Sequence, residues 1–495
     1  MIRLIPHFKS VLCYALVAFV FLALLYNGIF KEYGYTDSYE FLWSANNVPI
    51  FKHVFIQSGR PLYGELNQLI FGTLCSTISD LKWIRTFSLL SCVLLSTQIF
   101  KLLLQINFKK LEAALFSLLV LAIPSIGIYV GWSVTYEIPL ALNCSFFAGV
   151  LILQKNSNKP SLLTFFLALV FNIVALNLYQ PAGTAFLIPL VFYSVIHQKQ
   201  LVSQFIRFFL LFVFSFGLYF IIFKISLHFY NIPALERTGF DLINLPYHFF
   251  KFYFRELKNT FYGSAILFQS IPLLFIGSSL VVGFFILIFN KNKLQRNYIL
   301  LIFLLLILPI SFTPNLLSID KFITSRTIAV TAIIVLFYQF YFLRELSSNS
   351  TFVKYLSFIL AFIFIIGGSY NVNIYFTKIA VKEYTSLKSV FISLPINTDK
   401  QIILIRPQEA FLQKSGAYNQ SFADEFVQIS TERNWVPIPL FHQIMKEHFD
   451  ENYSMLNVKT IGVNDTYEDS EKIIVINLED ILQEVFSEQP RPTQI

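Results

Sequence analysis

The chain has 495 residues, of which 56% are hydrophobic, 17% aromatic and only 13% charged. A water-soluble protein of this size needs more charge to cover its surface, so the composition excludes a soluble globular protein and points to a solvent that is mostly lipid. The net charge of +8 does not indicate nucleic acid as a partner, because the basic residues are scattered through short loops between apolar runs.

Apolar runs occur at about 11–30, 86–104, 111–131, 135–153, 161–178, 179–196, 206–224, 264–290, 297–313, 327–343 and 355–371. Most approach or exceed the ~18–20 residues that span a bilayer, and they predict about eleven transmembrane helices. The first run follows Arg3, His7 and Lys9 as a signal peptide would, but it has no small-residue cleavage site and is long for a signal segment, so it reads as a retained helix. With the N-terminus inside, the inner connections carry Lys109 and Lys110, Lys155 and Lys159, Lys199 and Arg207, Lys291, Lys293 and Arg296, then Arg344 and Lys354. This is the positive-inside bias.

The first outer loop spans 31–85, with 66–80 read as a helix lying at the interface. A second large outer loop spans 225–262, and its segment from His248 to Arg255 reads as interfacial aromatics with snorkelling cations. Residues 1–375 form the membrane domain. From 385 to 495 the chain is polar and charged, with strand candidates at Gln401–Ile405 and Lys472–Ile476 and helix candidates at Leu440–Phe449 and Leu478–Phe486. About 110 residues can bury a core, so a small C-terminal α/β domain is expected, placed outside by the odd number of spans. The fold class is therefore an all-α polytopic membrane protein carrying a small extracytoplasmic α/β domain.

Cys13, Cys75, Cys92 and Cys144 lie in apolar segments and form neither a CxxC pair nor a disulfide framework. The seven histidines are scattered without ligand spacing, so the sequence indicates no metal site and no cofactor, although a divalent metal is compatible with it. The stripe of Phe208, Phe209, Phe212 and Phe214 reads as packing or lipid-facing residues, and Gly367-Gly368 as a helix-packing feature.

Three constellations could carry chemistry. Asp37 and Glu40 follow the first span, and a spacing of three puts both on one face of a helix. Transfer from a sugar phosphate needs a base for the incoming hydroxyl, while the phosphate leaves readily, so one well-placed carboxylate suffices for an inverting displacement; solvated loop acids are the plainer alternative. Arg60, within Gly59-Arg60-Pro61, could pair with a phosphate through its planar fork of donors or anchor to headgroups. Tyr136 and Glu137, Tyr179 and Gln180, and Lys321 and Arg326 all fall at outer ends of spans. Glu137 is the sharpest of these, because an ionisable group just inside an apolar run is costly without a partner or a wet cavity; a helix-start acid favoured by the dipole is the alternative. A transporter would more typically carry ionisable groups in mid-span, and here the spans are almost free of them.

The order Tyr35-Thr36-Asp37-Ser38-Tyr39-Glu40, Gly59-Arg60-Pro61, Tyr179-Gln180-Pro181 and Thr324-Ser325-Arg326 resembles the bacterial and phage O-antigen glucosyltransferases of serotype conversion, in the GT-C superclass of polytopic glycosyltransferases. The resemblance covers roughly residues 1–375. It implies a bacterial inner-membrane enzyme, N-terminus cytoplasmic, that moves a hexose, glucose by the resemblance, from an undecaprenyl-phosphate carrier to a lipid-linked glycan or the O-antigen of lipopolysaccharide on the periplasmic side. Its partners are then the lipid-linked donor, the glycan acceptor and membrane lipid. It implies Asp37 as general base with Glu40 beside it; on that reading Arg60 and Arg326 stabilise the leaving phosphate, Tyr136, Glu137, Tyr179 and Gln180 line the sugar pocket, and Lys321 is a further substrate-binding candidate. Many GT-C enzymes carry adjacent acids or an acid-any-acid pattern here, whereas this chain has Ser38 after Asp37, which leaves the choice of base between Asp37 and Glu40. An O-antigen polymerase and a non-enzymatic flippase or transporter are the alternatives.

Overall fold

The computed structural model describes residues 8–47, 51–153, 161–197, 201–261, 271–291, 296–319, 323–348, 350–394, 400–414, 425–449, 456–463, 465 and 472–487. Among these the chain is mostly helical. Five helices are long and apolar enough to cross a membrane, or six if one bent pair is a single span. Five further apolar helices are 10–17 residues long, among them Leu162–Leu178, Leu274–Asn290 and Tyr298–Ser311.

Several boundaries differ from those expected. The run at 111–131 is two helices, Lys110–Leu121 and Pro124–Gly131, bent by 58°. Pro124 has no N–H to give the preceding turn and its ring crowds it, which breaks the ladder there. The run at 206–224 grows into a 30-residue helix, Leu201–Tyr230. The run at 86–104 starts earlier, at Leu81, because the charge of Arg85 is accommodated inside the fold. The last expected span does not stop at 371: Thr351–Val372, a π turn over Asn373–Thr377 and Lys378–Ser393 follow without a break. The domain boundary expected between 375 and 385 therefore falls inside continuous helix.

The segment 31–85 is a stack of helices rather than an open loop: Asp37–Asn47, His53–Gln57 and Pro61–Leu69, the last continued by a π turn to Leu74. The interfacial helix expected at 66–80 thus begins at Pro61 and stops before Cys75. The segment 225–262 is also largely helical, with Leu245–Lys251, a π turn at Phe252–Glu256 and Leu257–Phe261. Of its aromatics Phe250 and Phe254 are exposed, as an interfacial segment requires, whereas Phe252 is fully buried.

Arg85 organises the entry to this region. It is completely enclosed, and its guanidinium donates to three main-chain carbonyls: Nε to Ile29 at 2.7 Å, Nη1 to Tyr33 at 2.8 Å and Nη2 to Lys31 at 2.6 Å. It also lies 3.9 Å from the centre of the Tyr33 ring. The chain leaving the first helix, Phe8–Leu25, is thereby folded around one side chain. The three tyrosines that follow extend the anchoring: Tyr33 donates to Gly131 O at 2.8 Å, Tyr35 to Glu425 O at 2.5 Å and Tyr39 to Gly34 O at 3.0 Å.

Close approaches fix the helix packing. A Cβ on Gly149 would meet Phe186 O at 2.3 Å and one on Gly368 would meet Ala122 O at 2.5 Å, so glycine at each lets two backbones touch. The C-terminal part holds a three-stranded parallel sheet of β1 (Gln401–Ile405), β2 (Val458–Ile461) and β3 (Ile473–Asn477), in the order β2-β1-β3. β1 and β3 match the strand candidates at Gln401–Ile405 and Lys472–Ile476, both short unbroken apolar runs; β2, with its Lys459 and Thr460, was not expected. Helices Pro437–His448 and Leu478–Ser487 carry the sheet's cover. Its buried residues join those of the membrane helices in one continuous core.

Replacing Arg85 by Met should leave the three carbonyls without donors, at about 1–3 kcal/mol for each that stays buried. The partly exposed pair of Arg344 with Glu112 at 2.9 Å is worth about 1 kcal/mol. Thermal unfolding of the purified protein in detergent should show a much larger drop in Tm for Arg85→Met than for Arg344→Met; equal drops would show that Arg85 is not the anchor.

Candidate functional site

The turn that ends in Thr36 sets the first carboxylate. Thr36 has a φ of +39°, a left-handed conformation that costs a β-branched residue energy, and its N–H donates to Ser430 Oγ at 3.1 Å. The helix that follows starts at Asp37, so Asp37 and Glu40 both lie in its first turn, where the helix dipole favours negative charge. Asp37 Oδ1 accepts the indole N–H of Trp435 at 2.9 Å, and Glu40 accepts the Ser44 hydroxyl. Burial pushes the Glu40 carboxyl above the ordinary carboxylate range; the Ser44 bond opposes this and the neighbouring charge of Asp37 adds to it.

Both acids face a cavity of about 990 Å³. Around it the structure brings together Asp37, Glu40, Arg60, Glu137, Tyr179, Gln180 and Arg326, seven of the nine residues singled out by sequence. Tyr136 does not line it: its ring is buried behind the wall and its hydroxyl bonds Asn67 Oδ1 at 3.1 Å. Lys321 lies outside the described residues.

Gln180 and Gly59 lock Arg60 in place. The Gln180 amide donates to Gly59 O at 2.7 Å and Ser58 O at 3.2 Å, and Tyr219 donates to Gly59 O at 2.9 Å. Arg60 Nε donates to Gln180 Oε1 at 3.3 Å while its guanidinium lies 4.7 Å from the Tyr179 ring centre. Gly59 has a φ of +80°, and a Cβ there would sit 2.6 Å from both Gln180 Nε2 and the Tyr219 hydroxyl. Only glycine meets both demands.

Arg326 is held from three sides. Tyr129 donates to its carbonyl at 2.6 Å, its guanidinium lies 4.8 Å from the Trp132 ring centre, and Nε is 3.2 Å from Glu425 Oε1. Burial disfavours its charge, but Glu425 first, then Tyr179, Asp37 and Glu137, more than offset this and hold its pKa above the usual guanidinium value. Glu137 is 2% exposed at the start of helix Glu137–Ile152. Its Oε2 has no hydrogen-bond partner among the described residues, although it borders the cavity, so a buried carboxylate oxygen is left for an occupant.

The flank is aromatic. Phe212, Phe216, Tyr219, Phe220 and Phe223 come from one face of helix Leu201–Tyr230, spaced as a single helical stripe. Phe41, Phe51 and Phe55 pack edge to face and add to the wall. The aromatic stripe read from sequence as packing or lipid-facing thus contributes Phe212 to the cavity. Sequence reasoning also missed Tyr219, Asn315, Trp435 and Glu425. Trp435 carried a signal, since it is the one tryptophan after Trp132 and stands in a polar region. Glu425 carried none.

Comparison with known protein families and with curated proteins found no match to this chain.

Two outcomes follow. Gly59→Ala should destabilise the fold by about 1–2 kcal/mol for the left-handed backbone, plus the overlap with Gln180; combining it with Gln180→Ala should cost less than the sum of the two, read as Tm. Glu40 has a folded pKa above its unfolded one, so its ionisation lowers stability as pH rises beyond the unfolded value. Glu40→Gln should therefore melt higher than wild type at pH 8, with the gap closing towards pH 4; a gap of constant size would refute the assignment.

Proposed function

We propose that this protein is a membrane glycosyltransferase that moves a sugar, glucose by the family resemblance, from a polyprenyl-phosphate carrier to a glycan acceptor at the extracytoplasmic face of a bacterial inner membrane. The observation that carries the reading is the junction of two chemistries in one cavity. Asp37, Glu40, Arg60, Glu137 and Arg326 line one part, and the stripe from Phe212 to Phe223 lines another. A lipid-linked sugar phosphate has the matching halves, an apolar chain and an anionic, hydroxyl-rich head.

In this reading Asp37 takes the proton of an acceptor hydroxyl as its oxygen bonds the anomeric carbon. The bond from that carbon to the phosphate oxygen breaks, and the phosphate leaves with the electron pair. Displacement from the opposite face inverts the anomeric centre. Arg326 and Arg60 stabilise the departing charge; a guanidinium suits this because its donors are planar and paired. Glu40, partly buried and harder to ionise, orients the acceptor or serves as the base itself, and Glu137 with Gln180 meets the sugar hydroxyls. The periplasmic placement of the C-terminal part belongs to the same reading.

Membranes carrying wild type, Asp37→Asn, Glu40→Gln or Arg326→Gln, given radiolabelled polyprenyl-phosphate glucose, test it. Transfer to envelope glycan is expected from wild type, with a fall of about 10²–10⁴-fold when the base is removed and a raised donor KM for Arg326→Gln. Transfer untouched by both carboxylate variants would overturn the site; no transfer by wild type would overturn the reaction.

A further inference from the structure

Helix Asp37–Asn47 and helix Pro437–His448 lie side by side and start at the same place. Trp435, two residues before the second helix, bonds Asp37, the first residue of the first. Further along, Trp43 stacks on His442 with ring centres 4.7 Å apart and planes 12° from parallel. The turn before Trp435 is anchored from behind: buried Glu383 accepts Ser430 N at 2.8 Å, Thr431 N at 2.8 Å and Thr431 Oγ1 at 2.8 Å. Val436 is fully buried beside it. Trp435 is thus fixed at its backbone and by its indole N–H.

Trp435 is nonetheless 47% exposed, and it borders the cavity. In the described residues from 400 onward, Trp435 and Val463 are the large apolar side chains left exposed, and Trp435 is the one at the cavity. An indole held by its polar edge presents an apolar face beside a hydrogen-bonding group. That combination fits the C–H face of a pyranose, with the sugar's hydroxyls reaching Asp37. The aromatic flank for the lipid chain comes from helix Leu201–Tyr230, a different element, so Trp435 is not part of it.

We propose that Trp435 is the platform on which the acceptor sugar stacks, so that the C-terminal domain supplies the acceptor half of the site. The ligand class is a neutral oligosaccharide, and the indole N–H has a second task, fixing Asp37 towards the hydroxyl that the sugar presents. This rests on the glycosyltransferase reading, but binding of a neutral glycan at Trp435 can be measured without catalysis.

The chain has four tryptophans, so full-length protein labelled with 5-fluorotryptophan in lipid nanodiscs should give four fluorine resonances, that of Trp435 being identified by its loss in Trp435→Phe. Rhamnose-, glucose- and galactose-based oligosaccharides free of lipid, and farnesyl phosphate, are the probes. We expect the Trp435 resonance to move with at least one oligosaccharide and to stay in place with farnesyl phosphate. A resonance moved by none of the sugars, or by farnesyl phosphate alone, overturns the proposal. Kinetics with the oligosaccharide so identified add a second readout. Trp435→Phe keeps a ring and loses the N–H, so its acceptor KM should stay near wild type while kcat falls. Trp435→Ala should raise acceptor KM about tenfold, the scale of a tryptophan contact at an interface, with donor KM unchanged. Equal changes in both KM values would make Trp435 structural and overturn the role. A Trp435 resonance that responds to sugar in a protein without transfer would leave the binding site standing and sink the transferase reading instead.

Discussion

The architecture around the cavity depends on a single buried cation. Arg85 is fully buried, and its guanidinium donates to the carbonyls of Ile29, Lys31 and Tyr33. A guanidinium can do this because its donors diverge in a fixed plane, whereas an ammonium could not span three carbonyls so spaced. Those carbonyls belong to the turn that links the first helix to Asp37. These bonds fix the turn's course and with it the place of the Asp37–Asn47 helix. The anchor also explains why a charged residue is tolerated in a long apolar helix, where an unpaired charge is expensive.

From that turn the architecture runs outward through hydrogen bonds of long sequence separation. Tyr35 ties to the Glu425 carbonyl and Thr36 to Ser430, so the C-terminal region is not an appended module: it helps hold the backbone on which Asp37 sits. Glu383 closes the circuit by binding Ser430 and Thr431 from the helix that continues the last apolar segment. Two β-branched residues adopt left-handed backbone conformations nearby, Thr36 with φ +39° and Val427 with φ +56°. One precedes Asp37 and the other follows Glu425, the partner of Arg326. Strain of this kind persists where surrounding contacts over-determine the chain, and here the contacts are the same bonds that join the two regions.

What the sequence made legible follows from the range of the forces involved. Apolar runs, β1, β3 and the C-terminal helices were readable because burial periodicity is local. Asp37, Glu40, Arg60, Glu137, Tyr179, Gln180 and Arg326 were readable as polar residues at the ends of apolar runs, and the cavity gathers all seven. Tyr136 was misplaced because adjacent residues at a helix start point in different directions, and it turns to Asn67 while Glu137 turns to the cavity. The helix through 375–385 was not legible, since its polar continuation is held by packing on the C-terminal region, which no local pattern encodes. Arg85 looked like the end of a loop, because its partners are backbone carbonyls 52–56 positions away. Glu425 and Trp435 meet Arg326 and Asp37 across 99 and 398 positions, respectively, and such pairing is written only in the fold.

Most of the charged and amide residues of the cavity share one more property: they stand where regular helix is interrupted. Asp37 begins a helix, and Arg60 precedes one at Pro61. Glu137 follows the 3-10 turn Ser133–Thr135, Gln180 opens the 3-10 turn Gln180–Thr184, and Arg326 lies in the turn before Ala329–Ser347. Within lipid, broken backbone is tolerated only where protein or a wet cavity satisfies its freed groups. The interruptions and the polar side chains therefore require each other. Turns supply N–H groups, carbonyls and helix starts that suit anions, and side chains such as Gln180, Tyr129 and Tyr219 consume the carbonyls that would otherwise be orphaned. Moving Glu137 or Arg326 one turn into the apolar helix that follows it would remove it from that shared solvation. Placing the chemistry at helix ends is thus a consequence of building a polar site in an apolar bundle, and it is why so few charged residues suffice to line a cavity of this size.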